Sequence, residues 1–219
     1  MCYNIFMIKK AFIICGGFGT RLNLPFPKVL AKIHDKTLLE IQVNFLRNSG
    51  ISDITLLTGF KNYFLKDYIE LLNLKEIISG TNGTNEAILK SNVTERSLFL
   101  YGDIYPDCNL SDFINSDIGK VCHMCIHKSS HPEDSDLIYF KDNLLQSVIK
   151  KPHIFKDGFS SCCLFITDNR ILNFLKNKDF MSSTLDNLKD NCSIFITEAK
   201  MLDCGTKERL KYVNDTNSV

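Results

Sequence analysis

Short apolar runs alternate with amphipathic ones along the first half of the chain. Ala11 to Cys15 is an uninterrupted apolar stretch that breaks at once into Gly16-Gly17-Phe18-Gly19, as expected of a buried parallel strand ending in a turn. From Thr37 to Asn48, Leu38, Leu39, Ile41, Val43, Phe45 and Leu46 fall at mainly helical spacing, with Thr37 able to cap the start and Gly50 just past the end. Asp53 to Thr58 predicts a second strand, Asn62 to Leu72 a second helix and Leu74 to Ile78 a third strand. Thr84 to Ser91 predicts another helix, and Ser97 to Tyr101 a strand that stops at Gly102-Asp103. This βαβαβ rhythm predicts a parallel sheet with helices on its faces, and ligands of such sheets bind outside the carboxyl ends of the strands. Gly16 to Gly19 and Asp103 both stand at such ends. From Lys120 to Phe165 strand-like segments and turn residues are denser, which predicts a mixed sheet and a substrate-side subregion.

Composition narrows the picture. A length of 219 residues suits one domain, residues 1–219, and 44% hydrophobic residues permit a sizeable core. Lys+Arg 26 against Asp+Glu 25 leaves a charge of +1, so bulk charge favours neither nucleic acid nor a membrane surface, and any phosphate site must be local. The opening, apolar with Lys9 and Lys10 behind it, is the reverse of a secretory signal, and no run approaches a membrane span; the expected location is the cytoplasm. Nine cysteines form no paired CxxC set, so most are expected to be reduced core residues. Cys122-His-Met-Cys125 reads as an alternating strand, its rival being a zinc half-site without an evident second half. The five histidines show no ligand spacing.

Candidate chemistry begins at Gly16-Gly17-Phe18-Gly19-Thr20-Arg21-Leu22. Glycines remove side chains where backbone N–H groups must approach phosphate oxygens, and Arg21 adds a fork of donors for a polyphosphate. The spacing fits neither a Walker loop nor a dinucleotide fingerprint. Pro27-Lys28-Val29-Leu30 then sets a second cation on a proline-restricted loop near the same strand end.

G-G-x-G-T-R-L followed by P-K-x-L resembles the signature of the sugar-phosphate nucleotidylyltransferases, and the resemblance continues along the chain. It implies an α/β, Rossmann-like three-layer αβα nucleotidyltransferase fold with a mixed, mostly parallel sheet. It further implies that Gly16, Gly17, Gly19, Thr20 and Arg21 hold a nucleoside triphosphate, while Lys28 neutralises the departing pyrophosphate. Gly83-Thr84 resembles the family's G-T-A-G-A segment, which contacts the base, although Asn85-Glu86 replaces the usual small pair. Asp103, after Tyr101-Gly102, and Asp203, in Asp203-Cys204-Gly205-Thr206, match the two aspartates that bind Mg²⁺. Lys151, before Pro152, matches the lysine that contacts the acceptor phosphate, with Lys150 as rival. Where the family carries an asparagine for sugar hydroxyls, this chain has Ser160-Ser161-Cys162-Cys163, so Ser161 takes that place with fewer directional hydrogen bonds.

Two further segments, His131-Pro-Glu-Asp-Ser-Asp-Leu137 and Asp203-Cys-Gly-Thr-Lys-Glu-Arg-Leu210, resemble a subgroup near heptose-1-phosphate and mannose-1-phosphate guanylyltransferases. The implied partners are an NTP, GTP or CTP, and a sugar or polyol phosphate. The rivals are a cytidylyltransferase acting on a polyol phosphate and a glycosyltransferase with Asp134-Ser135-Asp136 as its D-x-D metal motif. A third, a catalytically dead regulatory subunit, conflicts with the presence of Arg21, Lys28, Asp103 and Asp203. Since the chain ends soon after Asp203, no C-terminal β-helix domain is expected, and a homodimer would use the catalytic domain.

Overall fold

The computed structural model describes residues 7–175, 180–199 and 201–216. In its first half, β1 (Lys10–Ile14) leads through the short ribbon β2 (Lys32–Ile33) and β3 (Lys36–Thr37) into α1 (Leu38–Asn48). There follow β4 (Asp53–Thr58), α2 (Lys66–Leu71), β5 (Lys75–Ile78), α3 (Thr84–Lys90), β6 (Ser97–Tyr101), β7 (Ile104–Tyr105) and α4 (Leu110–Asn115). The second half supplies β8 (Cys122–Lys128), β9 (Leu137–Lys141), β10 (Leu144–Ile149), β11 (Phe159–Thr167), α5 (Leu185–Leu188), β12 (Cys192–Thr197), β13 (Leu202–Asp203) and α6 (Lys207–Thr216).

Nine strands form one sheet in the order β5-β4-β1-β6-β11-β8-β12-β10-β9. The pairs β5/β4, β4/β1 and β1/β6 are parallel, as the βαβαβ reading expects, and β12/β8 is parallel too. β11 runs antiparallel to both β6 and β8, which makes the sheet mixed, and β10 runs antiparallel to its neighbours.

Side chains alternate between the two faces of β1. Ala11 and Ile13 join Leu39, Val43 and Leu46 of α1 in one core, whereas Phe12 joins Ala87 and Ile88 of α3 and Leu185 and Leu188 of α5 in the other. Helices therefore cover both faces, giving three layers. Across the second face Phe12, Phe99, Phe165 and Phe180 stack in series, with centroids 4.7, 5.1 and 4.6 Å apart. α1 starts where the sequence puts its cap: Thr37 Oγ accepts from the Glu40 N–H at 3.2 Å, and Glu40 Oε2 accepts from the Thr37 N–H at 2.7 Å.

Cys122 and Cys125 lie three apart on β8 and enter opposite cores, so they cannot share one zinc ion. The eight described cysteines are free thiols, six of them buried. Cys15 and Cys204 are pushed up to about 12, first of all by burial. No helix among the described residues is long and apolar enough to cross a membrane.

Candidate active site

Three chain segments meet where β1, β4 and β5 end. A side chain at Gly16 would collide with the Gly80 carbonyl oxygen, and one at Gly59 would lie 2.8 Å from Gly16 O. Gly16 is thus required by backbone packing, and Phe60 N donates to Gly16 O at 3.2 Å across the same junction. Gly17 has open space around its missing side chain, which leaves its backbone accessible to a ligand. Gly19 adopts φ +66, a left-handed conformation, and a Cβ there would lie 2.9 Å from Lys28 Cγ.

The first of two neighbouring clefts, about 160 Å³, opens above these strand ends and is lined by Gly16, Gly17, Lys28, Gly80, Gly83, Thr84, Tyr101 and Asp103, among others. Asn85 and Glu86, the departures from the family's small pair, are turned away from it. Asn85 is buried in mutual hydrogen bonds with Thr184 at 2.9 and 3.1 Å, and Glu86 Oε2 accepts from the Asn82 N–H at 3.1 Å. The larger residues therefore brace the cleft's floor and loop and leave its lining small. Gly19 and Thr20 lie outside the lining of both clefts, Thr20 being exposed.

The second cleft, about 440 Å³, shares Tyr101 and Asp103 with the first. Arg21, His127, Asp134, Lys151, Ser161, Asp203 and Arg209 also line it. Arg21 thus faces this larger cleft, its Nη2 3.0 Å from where a Cβ at Gly205 would stand. Asp203 is brought to Asp103 by local pairing: β13 runs antiparallel to β7 with Asp203 opposite Ile104, and Cys204 N donates to Asp103 O at 2.7 Å. Residues a hundred positions apart in the sequence become neighbours in one wall.

Both carboxylates carry partners. Asp103 Oδ2 accepts from Lys28 Nζ; Asp203 Oδ2 accepts from Arg209 Nη1, and its Oδ1 from the Gly205 N–H at 2.5 Å. Lys151 Nζ donates to Asp134 O at 3.0 Å and lies 3.2 Å from Asp134 Oδ1. Ser161 sits where β11 bulges against β8, its Oγ accepting from Cys163 N at 3.0 Å. His127 is held below the ordinary imidazole range by burial, with its Nε2 3.2 Å from Ser160 Oγ in the cleft wall.

The D-x-D triplet of the rival reading lies in the short turn that precedes β9. Asp134 faces Lys151 and Arg209, and Asp136 Oδ1 accepts from the Lys151 N–H at 3.0 Å. Two residues of the site, Arg209 and Gln42, were given no role from the sequence. Arg209 stood only within a longer motif segment, whereas Asp134 entered as a metal ligand of the D-x-D rival and instead faces Lys151 and Arg209. Gln42, buried in α1, donates through Nε2 to Tyr101 O at 2.9 Å and Ile104 O at 2.7 Å, straddling Asp103. Nothing in a helix's apolar pattern marks such a residue beyond its being polar on the inner face.

No family model matches the chain. It is 33% identical over 181 residues to a bifunctional sugar-1-phosphate nucleotidylyltransferase/acetyltransferase of Sulfurisphaera tokodaii, covering 76% of this chain and 42% of that protein. It is 34% identical over 124 residues to D-glycero-alpha-D-manno-heptose 1-phosphate guanylyltransferase of Campylobacter jejuni, covering 52% and 55%. A choline-phosphate cytidylyltransferase of Streptococcus pneumoniae matches at 26% identity over 64% of this chain and 63% of that one. The chain thus matches less than two thirds of the length of each of these relatives. In structure it superposes on HddC from Yersinia pseudotuberculosis with a TM-score of 0.77 at 22% identity, covering 95% and 99% of the two chains. HddC has also been crystallised with GMP-PN.

The fold is that of the nucleotidylyltransferases, an α/β architecture with a mixed sheet. In sequence the chain is a relative of the sugar-1-phosphate nucleotidylyltransferases, and its relatives include a heptose-1-phosphate guanylyltransferase.

Proposed function

We propose that this chain is a magnesium-dependent sugar-phosphate nucleotidylyltransferase, transferring the nucleoside monophosphate of an NTP to a phosphorylated sugar and releasing pyrophosphate. The observation that carries this reading is the meeting, at Asp103, of two clefts of different chemistry. One is narrow and glycine-walled, suited to a nucleotide; the other is wide and lined by Arg21, Lys151 and Arg209, suited to a phosphorylated acceptor.

An acceptor phosphate oxygen attacks the α-phosphorus in line; the new P–O bond forms as the bond to the β-phosphate's bridging oxygen breaks. A phosphate is already nucleophilic at neutral pH, so the protein needs to position and neutralise rather than abstract a proton. Lys28, bonded to Asp103 where the clefts join, is the group for charge on the departing pyrophosphate, and Arg21 adds its charge from the wide cleft; Gly17, Gly83 and Thr84 border the nucleotide. Lys151 orients the acceptor phosphate and Ser161 its hydroxyls. Asp103 and Asp203 fit Mg²⁺, which takes one or two carboxylates and completes its shell with phosphate oxygens and water. Bound there, the ion supplies charge neutralisation on the phosphates.

GTP with a heptose- or mannose-type 1-phosphate is the first pair to try, given what the relatives' names state. Such a product would feed surface-polysaccharide synthesis from the cytoplasm, with residues 1–219 acting as one catalytic unit, alone or as a homodimer. A second reading, CTP with a polyol or amino-alcohol phosphate, draws on Ser161 replacing an asparagine and on the cytidylyltransferase relative. Assaying pyrophosphate release from every combination of the four common NTPs with sugar 1-phosphates and polyol phosphates decides between them; silence from all pairs would sink the proposal.

A further inference from the structure

Two cationic side chains converge on one carboxylate inside the wide cleft. Asp134 Oδ1 lies 3.2 Å from Lys151 Nζ and Asp134 Oδ2 lies 3.3 Å from Arg209 Nη2, while Arg21 lines the same cleft. The Asp134 side chain is 58% exposed, so solvent and solutes reach it. Lys151 foremost, then Arg209 and Arg21, hold its carboxyl below the usual range, which keeps it an anion at any working pH.

The loop that carries Asp134 is anchored by other means. Asp136 Oδ1 accepts from the Lys151 N–H at 3.0 Å, Ser135 Oγ donates to His131 O at 2.8 Å, and His153 Nε2 stands 2.9 Å from Ser135 O. The Asp134 side chain can therefore rotate off its partners while the loop keeps its place. A carboxylate between a lysine and an arginine occupies the contacts that two phosphate oxygens would take. Arg209 is also fixed from its far side, since Nη1 donates to Asp203 Oδ2. Its planar fork thus spans from the candidate metal ligand to the place where Lys151 waits.

We infer that Lys151 and Arg209 together clamp the acceptor's phosphate, and that Asp134 is the clamp's built-in competitor, filling it when empty and yielding to the substrate. The inference rests on the transferase reading and adds two residues to it. Asp134 keeps the mutually repelling cations in place, and displacing its carboxylate exacts the same cost from every anion, including one that offers charge alone. Orthophosphate is such an anion; a phosphate attached to a sugar gains further contacts from the cleft.

The test is direct binding, without NTP, of mannose 1-phosphate and of orthophosphate to wild type, Asp134→Asn and Arg209→Met, followed by calorimetry. Removing the competitor should tighten both anions by up to about fivefold, the range of an exposed ion pair. Arg209→Met should weaken both roughly tenfold, as expected for a lost charge-assisted hydrogen bond. Should Arg209→Met unfold, as circular dichroism would reveal, Arg209→Lys replaces it and should weaken both anions by a smaller factor. Unchanged or weaker binding by Asp134→Asn overturns the inference, as does wild-type binding by the Arg209 variant or no binding of either anion to Asp134→Asn. Because these readouts need no turnover, a protein that shows the expected order yet releases no pyrophosphate would overturn the transferase reading and leave the clamp standing.

Discussion

The Lys28 ammonium donates to the Asp103 carboxylate at the point where the two clefts join. Each group fixes the other, so the cation proposed for the leaving pyrophosphate and the carboxylate proposed for the metal are positioned as a pair. Lys28→Met should lower kcat by roughly 10²–10³-fold, the range for removing one preorganised charge-stabilising group. Asp103→Ala should do at least as much. The double variant should lose little more than the worse single one, because residues acting as a unit are non-additive. Multiplying losses in a pyrophosphate-release assay would show instead that the two act independently.

Gly19→Ala tests the same pair from behind. The new methyl would stand 2.9 Å from Lys28 Cγ, on a backbone whose φ of +66 costs a residue with Cβ about 1–2 kcal/mol. The lysine must shift, and a displacement of about 1 Å can cost about 10²-fold in rate. The expected outcome is a large fall in kcat with a fall in Tm of only a few degrees. A variant with wild-type kcat would mean that the lysine's position is not critical.

Gln42 reaches the site through the backbone. Its amide holds the carbonyls of Tyr101 and Ile104, which bracket Asp103, and it is fully buried. Gln42→Leu keeps the volume and removes both donations, at about 0.5–1.5 kcal/mol for each hydrogen bond lost. Urea unfolding should show that loss. If Gln42 positions Asp103, kcat at saturating substrates should fall and the Mg²⁺ requirement rise even where the variant is fully folded; a stability loss with unchanged kinetics would make its role structural alone.

The metal assignment has its own handle in Asp203. Chelation by EDTA should abolish turnover and added Mg²⁺ restore it. Asp203→Asn, which keeps shape but removes one of two hard anionic ligands, should raise the half-saturating Mg²⁺ about tenfold. Activity surviving exhaustive chelation would remove the metal from the proposal.

How far the sequence could be read depended on whether the determining interactions were local. β4 appears over Asp53–Thr58, the span its apolar run predicts, and the Thr37 cap of α1 was legible because a capping box is complete within four residues. The helix expected over 62–72 is instead a 3-10 turn, Asn62–Leu65, running into α2, preceded by Lys61 at φ +55, a bend that no periodicity signals. Asp103 and Asp203 were found by motif, yet their adjacency comes from a two-residue strand pairing invisible to pattern reading. Arg21 faces the wide cleft rather than the glycine-lined one, a placement set by the tertiary turn and not by its neighbours in sequence. Arg209 and Gln42 act across long sequence separations, and only the fold exposes such partners.

His123 supplies a pH dependence unconnected with catalysis. It is buried on β8, its Nδ1 2.7 Å from Ser193 Oγ and its Nε2 3.0 Å from Ser116 Oγ, and its ring stacks on Phe113. Burial, the largest influence, depresses its pKa to about 4, against an unfolded value of about 6.5. The unfolded chain therefore takes up this proton first. Stability from the neutral ring is fully present above about pH 6.5 and is lost progressively as pH falls towards 4, about 3 kcal/mol in all. His123→Gln should be less stable than wild type at pH 7, having lost the stacked ring, but the gap should close by that amount on acidification to pH 4, because the variant has no proton to gain. Parallel stability curves for the two proteins across this range, measured by urea unfolding, would show that His123 is protonated in the native state and that its burial does not govern the acid response.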